Sequence, residues 1–279
     1  PTFSTVSFPD PPTKPVISTH VSSLTVDTSG EIRNDIYFTN GIFVNNGKLT
    51  IYKSSDREIY ANRFTVGGSG VVNDDGGNGA LLLYIENDFS VTANNNITFT
   101  IGDSDTNIVM KKLNLGGNII VKRPAGKKGK LNLYISEEFN FNYGQIKFEG
   151  EEDETQAINL YYEGTKTLTL ASNAAIPGLL YVKQADLKLS GGSRTSGCII
   201  SGGKNITITG GANIISDMIY APDASVTISA GGNVTGCIIS DSLTMDGGAV
   251  LTFKPLDTGF EEWTGGTPGK ISYNLGKWH

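Results

Sequence analysis

Apolar and polar residues alternate in short runs through most of the chain. Examples are Leu49-Thr-Ile-Tyr52, Phe89-Ser-Val-Thr92, Ile97-Thr-Phe-Thr-Ile101, Leu131-Asn-Leu-Tyr-Ile135, Gln145-Ile-Lys-Phe148 and Leu168-Thr-Leu-Ala171, each bounded by Gly, Asn, Asp or Ser. A period of two puts every second side chain on one face of a strand, and the flanking residues are those that turn a chain. No apolar pattern at i, i+3, i+4 and i+7 is sustained, because Gly or a turn residue interrupts nearly every window. The pattern predicts an all-β chain.

The strands also repeat. Gly197-Cys-Ile-Ile-Ser201 recurs unchanged as Gly236-Cys-Ile-Ile-Ser240, with Asp217-Met-Ile-Tyr-Ala221 midway and Gly178-Leu-Leu-Tyr-Val182 before them. The first apolar residues, Leu179, Cys198, Met218 and Cys237, therefore recur at a near-constant step. A second run follows each (Leu187-Lys-Leu-Ser190, Ile206-Thr-Ile-Thr209, Val226-Thr-Ile-Ser229, Leu243-Thr-Met245), then a glycine corner, then a weaker third run. One such unit cannot bury its own apolar face, but stacked units share a continuous core. Antiparallel hairpins do not require identical residues at constant register, whereas a parallel β-helix does. The repeat predicts that fold, with rungs of about 19–20 residues roughly 4.8 Å apart.

Four regions follow. Residues 1–40 contain Pro9, Pro11, Pro12 and Pro15 and read as an extended lead-in and N-terminal cap. Residues 41–177 carry looser versions of the repeat (Leu81–Ile85, Leu131–Ile135, Ile158–Tyr162), with loops inserted at 102–107, 122–130 and 149–155. Residues 178–253 form the regular rungs. Residues 254–279 lose the repeat, carry Trp263, Tyr273 and Trp278, and read as a C-terminal aromatic cap over an open sheet end.

Composition narrows the chemistry. Gly takes 35 of 279 positions, charged residues 18% and the apolar set 38%, which fits a folded chain rather than a disordered or membrane-embedded one. The net charge of −6 argues against nucleic acid as a partner. Only His20 and His279 could serve as imidazole bases, so His-based catalysis and Cys/His metal clusters are disfavoured, and no cofactor is expected. The chain starts at Pro1-Thr2 with neither Met nor a signal-like apolar region, and it contains no spanning apolar run, so it reads as an excised ectodomain.

Several residues are candidates for chemistry. Asp74, Asp75, Asp103 and Asp105 lie in acidic turns that could hold Ca²⁺, although Asn, Asp and Gly are also what tight turns need and no full calcium-loop spacing is present. Lys122, Arg123, Lys127, Lys128 and Lys130 form the one basic concentration, either a solvated loop or a contact for an acidic polymer or partner subunit. Cys198 and Cys237 occupy one place in rungs separated by a third, about 9–10 Å apart and too far to bridge. With Tyr181 and Tyr220 they are read as buried structural residues. Asp186, Asp217, Asp223, Asp241 and Asp246 fall mostly at corners, and no catalytic acidic pair recurs on one strand face.

The segments Tyr220-Ala-Pro-Asp-Ala-Ser-Val-Thr-Ile-Ser229 and Gly231-Gly-Asn-Val-Thr-Gly-Cys-Ile-Ile-Ser240, with the ending Ile271-Ser-Tyr-Asn-Leu-Gly-Lys-Trp278, resemble PilX-type, type IV pilus-associated surface proteins of Gram-positive bacteria. The likeness covers residues 178–278. It implies a β-helical head displayed at the cell surface, held by an N-terminal membrane helix absent from these residues, with other pilus subunits as partners and no catalytic residues. The expectation is a structural or adhesive protein, with a surface or carbohydrate as ligand. Two other readings stand beside it: a β-helical polysaccharide lyase or hydrolase, and a self-stacking scaffold similar to bactofilins.

Overall fold

The computed structural model describes residues 7–150, 157–172 and 174–254, and among them every regular element is a β-strand. The chain winds as a parallel β-helix. Residues that share one place in successive turns form a column, His20–Tyr37–Tyr60–Tyr84–Val109–Tyr134–Tyr161–Tyr181–Ile200–Tyr220–Ile239, joined by ten parallel register steps.

Each turn has three faces. In the fourth turn a single bent strand, Leu81–Val91, supplies the first and second faces, and Asn96–Thr100 supplies the third. Thr106–Leu115 with Asn118–Arg123 and Leu131–Phe141 with Gln145–Gly150 repeat the plan in the fifth and sixth turns. The corner between the first two faces shows as a register shift after Met110. Alternation decides what is inside: Leu81, Leu83, Ile85, Phe89, Val91, Ile97 and Phe99 all point inward and join one core running the length of the stack. The turns from Leu179–Val182 onward keep the short, even step expected of the regular rungs, with Leu180 beside Ile199, Ile199 beside Ile219 and Ile219 beside Ile238.

One of the four expected regions takes a different form. Residues 20–32 are a complete first turn, His20–Val26 followed by Ser29–Ile32, rather than a cap. Ahead of them residues 7–19 run along the side of the stack. Residues 41–177 are β-helical, an in-register solenoid whose steps are longer and uneven. The aromatic ending at 255–279 and the insertion at 151–156 lie outside the described residues.

The step shortens abruptly once. Tyr134 pairs with Tyr161 across the longest turn of the column, and Tyr161 then pairs with Tyr181 across a much shorter one. At this change only the first face keeps its ladder, from Leu131↔Ile158 to Ile135↔Tyr162. The third-face strands divide into a six-stranded sheet ending at Gln145–Gly150 and a separate series starting at Ala175–Pro177. The turns are therefore two blocks sharing one core.

Two local features hold the stack against physical cost. Gly236 opens a turn at φ +146°, and a Cβ there would collide with the Ser216 carbonyl oxygen of the turn below, whereas Gly211, at φ +75°, has open space around it. Gly236→Ala is expected to lower stability by roughly 2 kcal/mol or more and Gly211→Ala by about 1 kcal/mol, since only the first adds a backbone clash to the left-handed cost. Urea denaturation of both variants checks this ordering.

The second feature is an ion pair inside the core. Leu49, Ile51 and Lys53 share inward parity, and Lys53 Nζ lies 3.0 Å from Asp74 Oδ2, with both side chains 0% exposed. The ammonium also donates to the Thr100 carbonyl at 2.8 Å, and Asp74 accepts the Thr100 N–H at 2.9 Å, so three successive turns are tied at one corner. Lys53→Met leaves the carboxylate without its cation, which is expected to cost about 3–5 kcal/mol. Thermal and urea unfolding should show a loss far larger than for Lys122→Met, whose exposed pair with Glu149 contributes little.

Candidate functional site

The outward side of the first face is unusually apolar for a solenoid surface. Alternate residues of its strands point away from the core, and in the later turns these are Leu179, Tyr181, Cys198, Ile200, Met218 and Tyr220, all buried in a second cluster. Phe8, Tyr161, Cys237 and Ile239 pack partly buried against it. The four residues read from the sequence as structural thus lie in this outer cluster, not in the central core. Met218 sits in register between the two cysteines, which are both free. Burial pushes the Cys198 thiol up to about 12 and the Cys237 thiol upward as well, so neither is a nucleophile near neutral pH.

Residues 7–19 lie across this outer face as a strap. Phe8 meets the rings of Tyr161 and Tyr181 edge-on, at 5.9 and 5.0 Å between centroids, and Lys183 Nζ stands 5.0 Å over the Phe8 ring. Pro11 lines a small cleft with Val109 and Tyr134. Lys14 lies 4.2 Å over Tyr60 and pairs with Glu86 at 3.0 Å. His20 then meets Tyr37 edge-on. From Phe8 to Lys14 the strap passes four turns in six residues: about 19 Å of stack for about 19 Å of extended chain at 3.1 Å per residue. Pro9, Pro11, Pro12 and Pro15 hold it near that conformation and supply no N–H to satisfy.

At the centre of the strap, Tyr60 donates its hydroxyl hydrogen to Glu86 and Lys14 binds the same carboxylate. The Tyr60 hydroxyl first, and Lys14 second, hold Glu86 below its ordinary value, and Lys14 is raised in turn. A depressed carboxylate stabilises the folded contact above the unfolded value and loses that contribution as pH falls through the folded one. Below the ordinary glutamate value of 4.5 the strap should therefore loosen. Limited proteolysis read at residues 7–19 is expected to accelerate in acid, and Glu86→Gln to give fast cleavage at neutral pH with a flattened pH profile.

The acidic candidates are dispersed among other roles. Asp74 is the buried partner of Lys53, and Asp75 accepts the N–H groups of Lys53 and Gly77. Asp103 pairs with Lys127 at 2.7 Å, and Asp105 accepts from the Lys130 N–H and the Asn132 amide. Among the described residues no three His, Cys, Asp or Glu side chains come together as a metal site. Asp186 accepts three donors from Lys204 and Asn205, and Asp217 pairs with Lys254. The basic candidates do not form one free patch either. Lys122 pairs with Glu149, Lys127 with Asp103, and Arg123 is buried beside the Phe148 ring; Lys128 is exposed.

A different surface has the shape of a binding site. Where the longer turns meet the shorter ones, the third face carries a groove of about 400 Å³. Its wall is the strand Gln145–Gly150, and its floor comes from Ile176, Pro177, Arg194, Asn213 and Ile215 in the three turns that follow. Ile215 is 57% exposed. None of these residues was singled out from the sequence as a site. The available signal was the shortening of the repeat step at Tyr161.

The fold defines the chain as a parallel β-solenoid. Residues 84–217, which span the junction between the two blocks, are similar to a family described as a domain of unknown function (DUF7305). No curated protein and no solved structure matches the chain.

Proposed function

We propose that this chain is a non-enzymatic structural and adhesive protein of the bacterial surface, the soluble head of a type IV minor pilin or pilus-associated protein in a Gram-positive bacterium. The observation that carries this reading is the unbroken column of ten in-register steps around one core, a rod of about 48 Å at 4.8 Å per turn. Such a stack resists bending and holds whatever lies on its sides at fixed spacing. The candidate carboxylates Asp74, Asp103 and Asp186 are each engaged in ion pairs or turns rather than facing one another across a cleft. The PilX-like pattern at Tyr220–Ser240 supports the pilus assignment, with other pilus subunits as partners and a surface or carbohydrate as the adhesive target.

Deletion of the gene in the source bacterium, followed by complementation, tests the proposal. Loss of piliation, twitching or attachment, restored by the intact chain, is the expected result. Normal pili and attachment in the deletion strain would overturn it, as would catalytic turnover of a polysaccharide by the purified chain.

A further inference from the structure

Tyr143 stands at the corner that leads into the wall of the groove, and two properties set it apart. Its backbone is left-handed, at φ +72°, and the residue is 83% exposed. The same place, two residues before a third-face strand opens, is held in the later turns by Gly192, Gly211, Gly231 and Gly248, at φ +75° to +78°. Glycine takes that conformation freely, whereas a bulky side chain is strained there. No burial of the ring offsets the strain. Strained residues of this kind cluster where a protein grips a ligand.

The surroundings say which ligand. Gln145, two residues further on, begins the groove of about 400 Å³, so the ring stands at the edge of that groove. The wall strand has six residues and each of the next two third-face strands has three, so the end of the wall at Phe148 overhangs a shelf carrying Pro177 and Ile215. Ala175–Pro177 fills the strand place beside the wall, and the groove therefore offers side chains rather than an open backbone edge. On the shelf Arg194 and Asn213 lie side by side in adjacent turns, both at least partly exposed, and supply guanidinium and amide groups. An aromatic platform, a shallow apolar floor and planar hydrogen-bonding groups one turn apart match a sugar chain, whose rings have apolar C–H faces and hydroxyl rims. The spacing of roughly 4.8 Å between turns is also close to the advance of one unit in an extended polysaccharide. The wall runs on in sequence into Glu151-Glu152-Asp153-Glu154, which repels a polyanion.

We propose that this corner and shelf bind an extended neutral polysaccharide, with one sugar ring stacked on Tyr143 and the following units laid over Pro177 and Ile215. Arg194 and Asn213 donate to its hydroxyl groups. The inference rests on the adhesive part of the function proposed above and is independent of the pilus part.

Native affinity electrophoresis of the intact chain tests it, in gels containing neutral polysaccharides (galactomannan, xyloglucan, arabinoxylan or dextran) or the polyanions alginate and polygalacturonate. At least one neutral polysaccharide should retard the chain, and the polyanions less or not at all. Tyr143→Gly removes the ring and the backbone strain together, so it should leave the urea midpoint unchanged or raised while weakening binding about tenfold or more. A tyrosine kept for stability would not give that pair of effects. Tyr143→Phe should retain most of the affinity, and Arg194→Ala should lower it several-fold with an unchanged circular dichroism spectrum. The proposal is overturned if no neutral polysaccharide retards the chain, if a polyanion does so as strongly, or if Tyr143→Gly or Arg194→Ala binds as the parent does. Pili take no part in this assay, so its failure and the failure of the gene-deletion test are separate results.

Discussion

Everything in this molecule depends on parallel register. A single turn presents its inward residues to an interior it cannot close, and only the turns above and below complete that closure. A one-residue slip would turn Leu81, Leu83 and Ile85 outward and bring Leu82 and Tyr84 into the core, so the ladder and the core enforce each other. Extra residues must then leave the stack at a corner without disturbing the strands. Steps as different as the short one from His20 to Tyr37 and the long one from Tyr134 to Tyr161 coexist in one column for that reason.

Register acts on the outside as well. Because equivalent positions stack, one outward residue type becomes a stripe: tyrosines at 37, 60, 84, 134, 161 and 181, with an asparagine ladder beside them in which Asn132 donates to Asn107 and Asn159 to Asn132. The asparagine ladder stops where Leu179 replaces the amide, and there the outer face becomes fully apolar. An apolar stripe of this length would invite association if left open. Over the middle turns the chain's own strap lies across it, which makes the lead-in part of the folded unit.

The later turns were legible in the sequence because their step is constant and one short string, Gly-Cys-Ile-Ile-Ser, recurs unchanged. The parallel fold, the three strands per turn and the unbridged cysteines all follow from that string and the roughly 4.8 Å spacing between neighbouring strands. Earlier turns were harder to read. In the fifth turn Val109 takes the place held by tyrosine in the turns on either side, and in the first three the steps are uneven, so no string repeats. The inward position of Lys53 could have been read by continuing the parity of Leu49 and Ile51, but a charged residue at a strand end looks like a corner. Which face the Pro-rich lead-in covers, and where the third-face ladder breaks, arise from contacts between residues distant in sequence. Local pattern carries no record of them.

The junction and the strap bear on one another. In a one-dimensional stack, cooperativity is only as strong as the weakest interface between neighbours. Between the sixth and seventh turns two of three ladders are missing, so the first-face pairs Leu131↔Ile158 to Ile135↔Tyr162 and the shared core carry the coupling there. The strap crosses this point. It is held on the long-turn side by Lys14 on Glu86 and Tyr60, and on the short-turn side by Phe8 against Tyr181. Opening the junction would require breaking one of those anchorages. The strap thus couples turns that the sheet joins weakly, and it does so on the first face, where the one continuous ladder also runs.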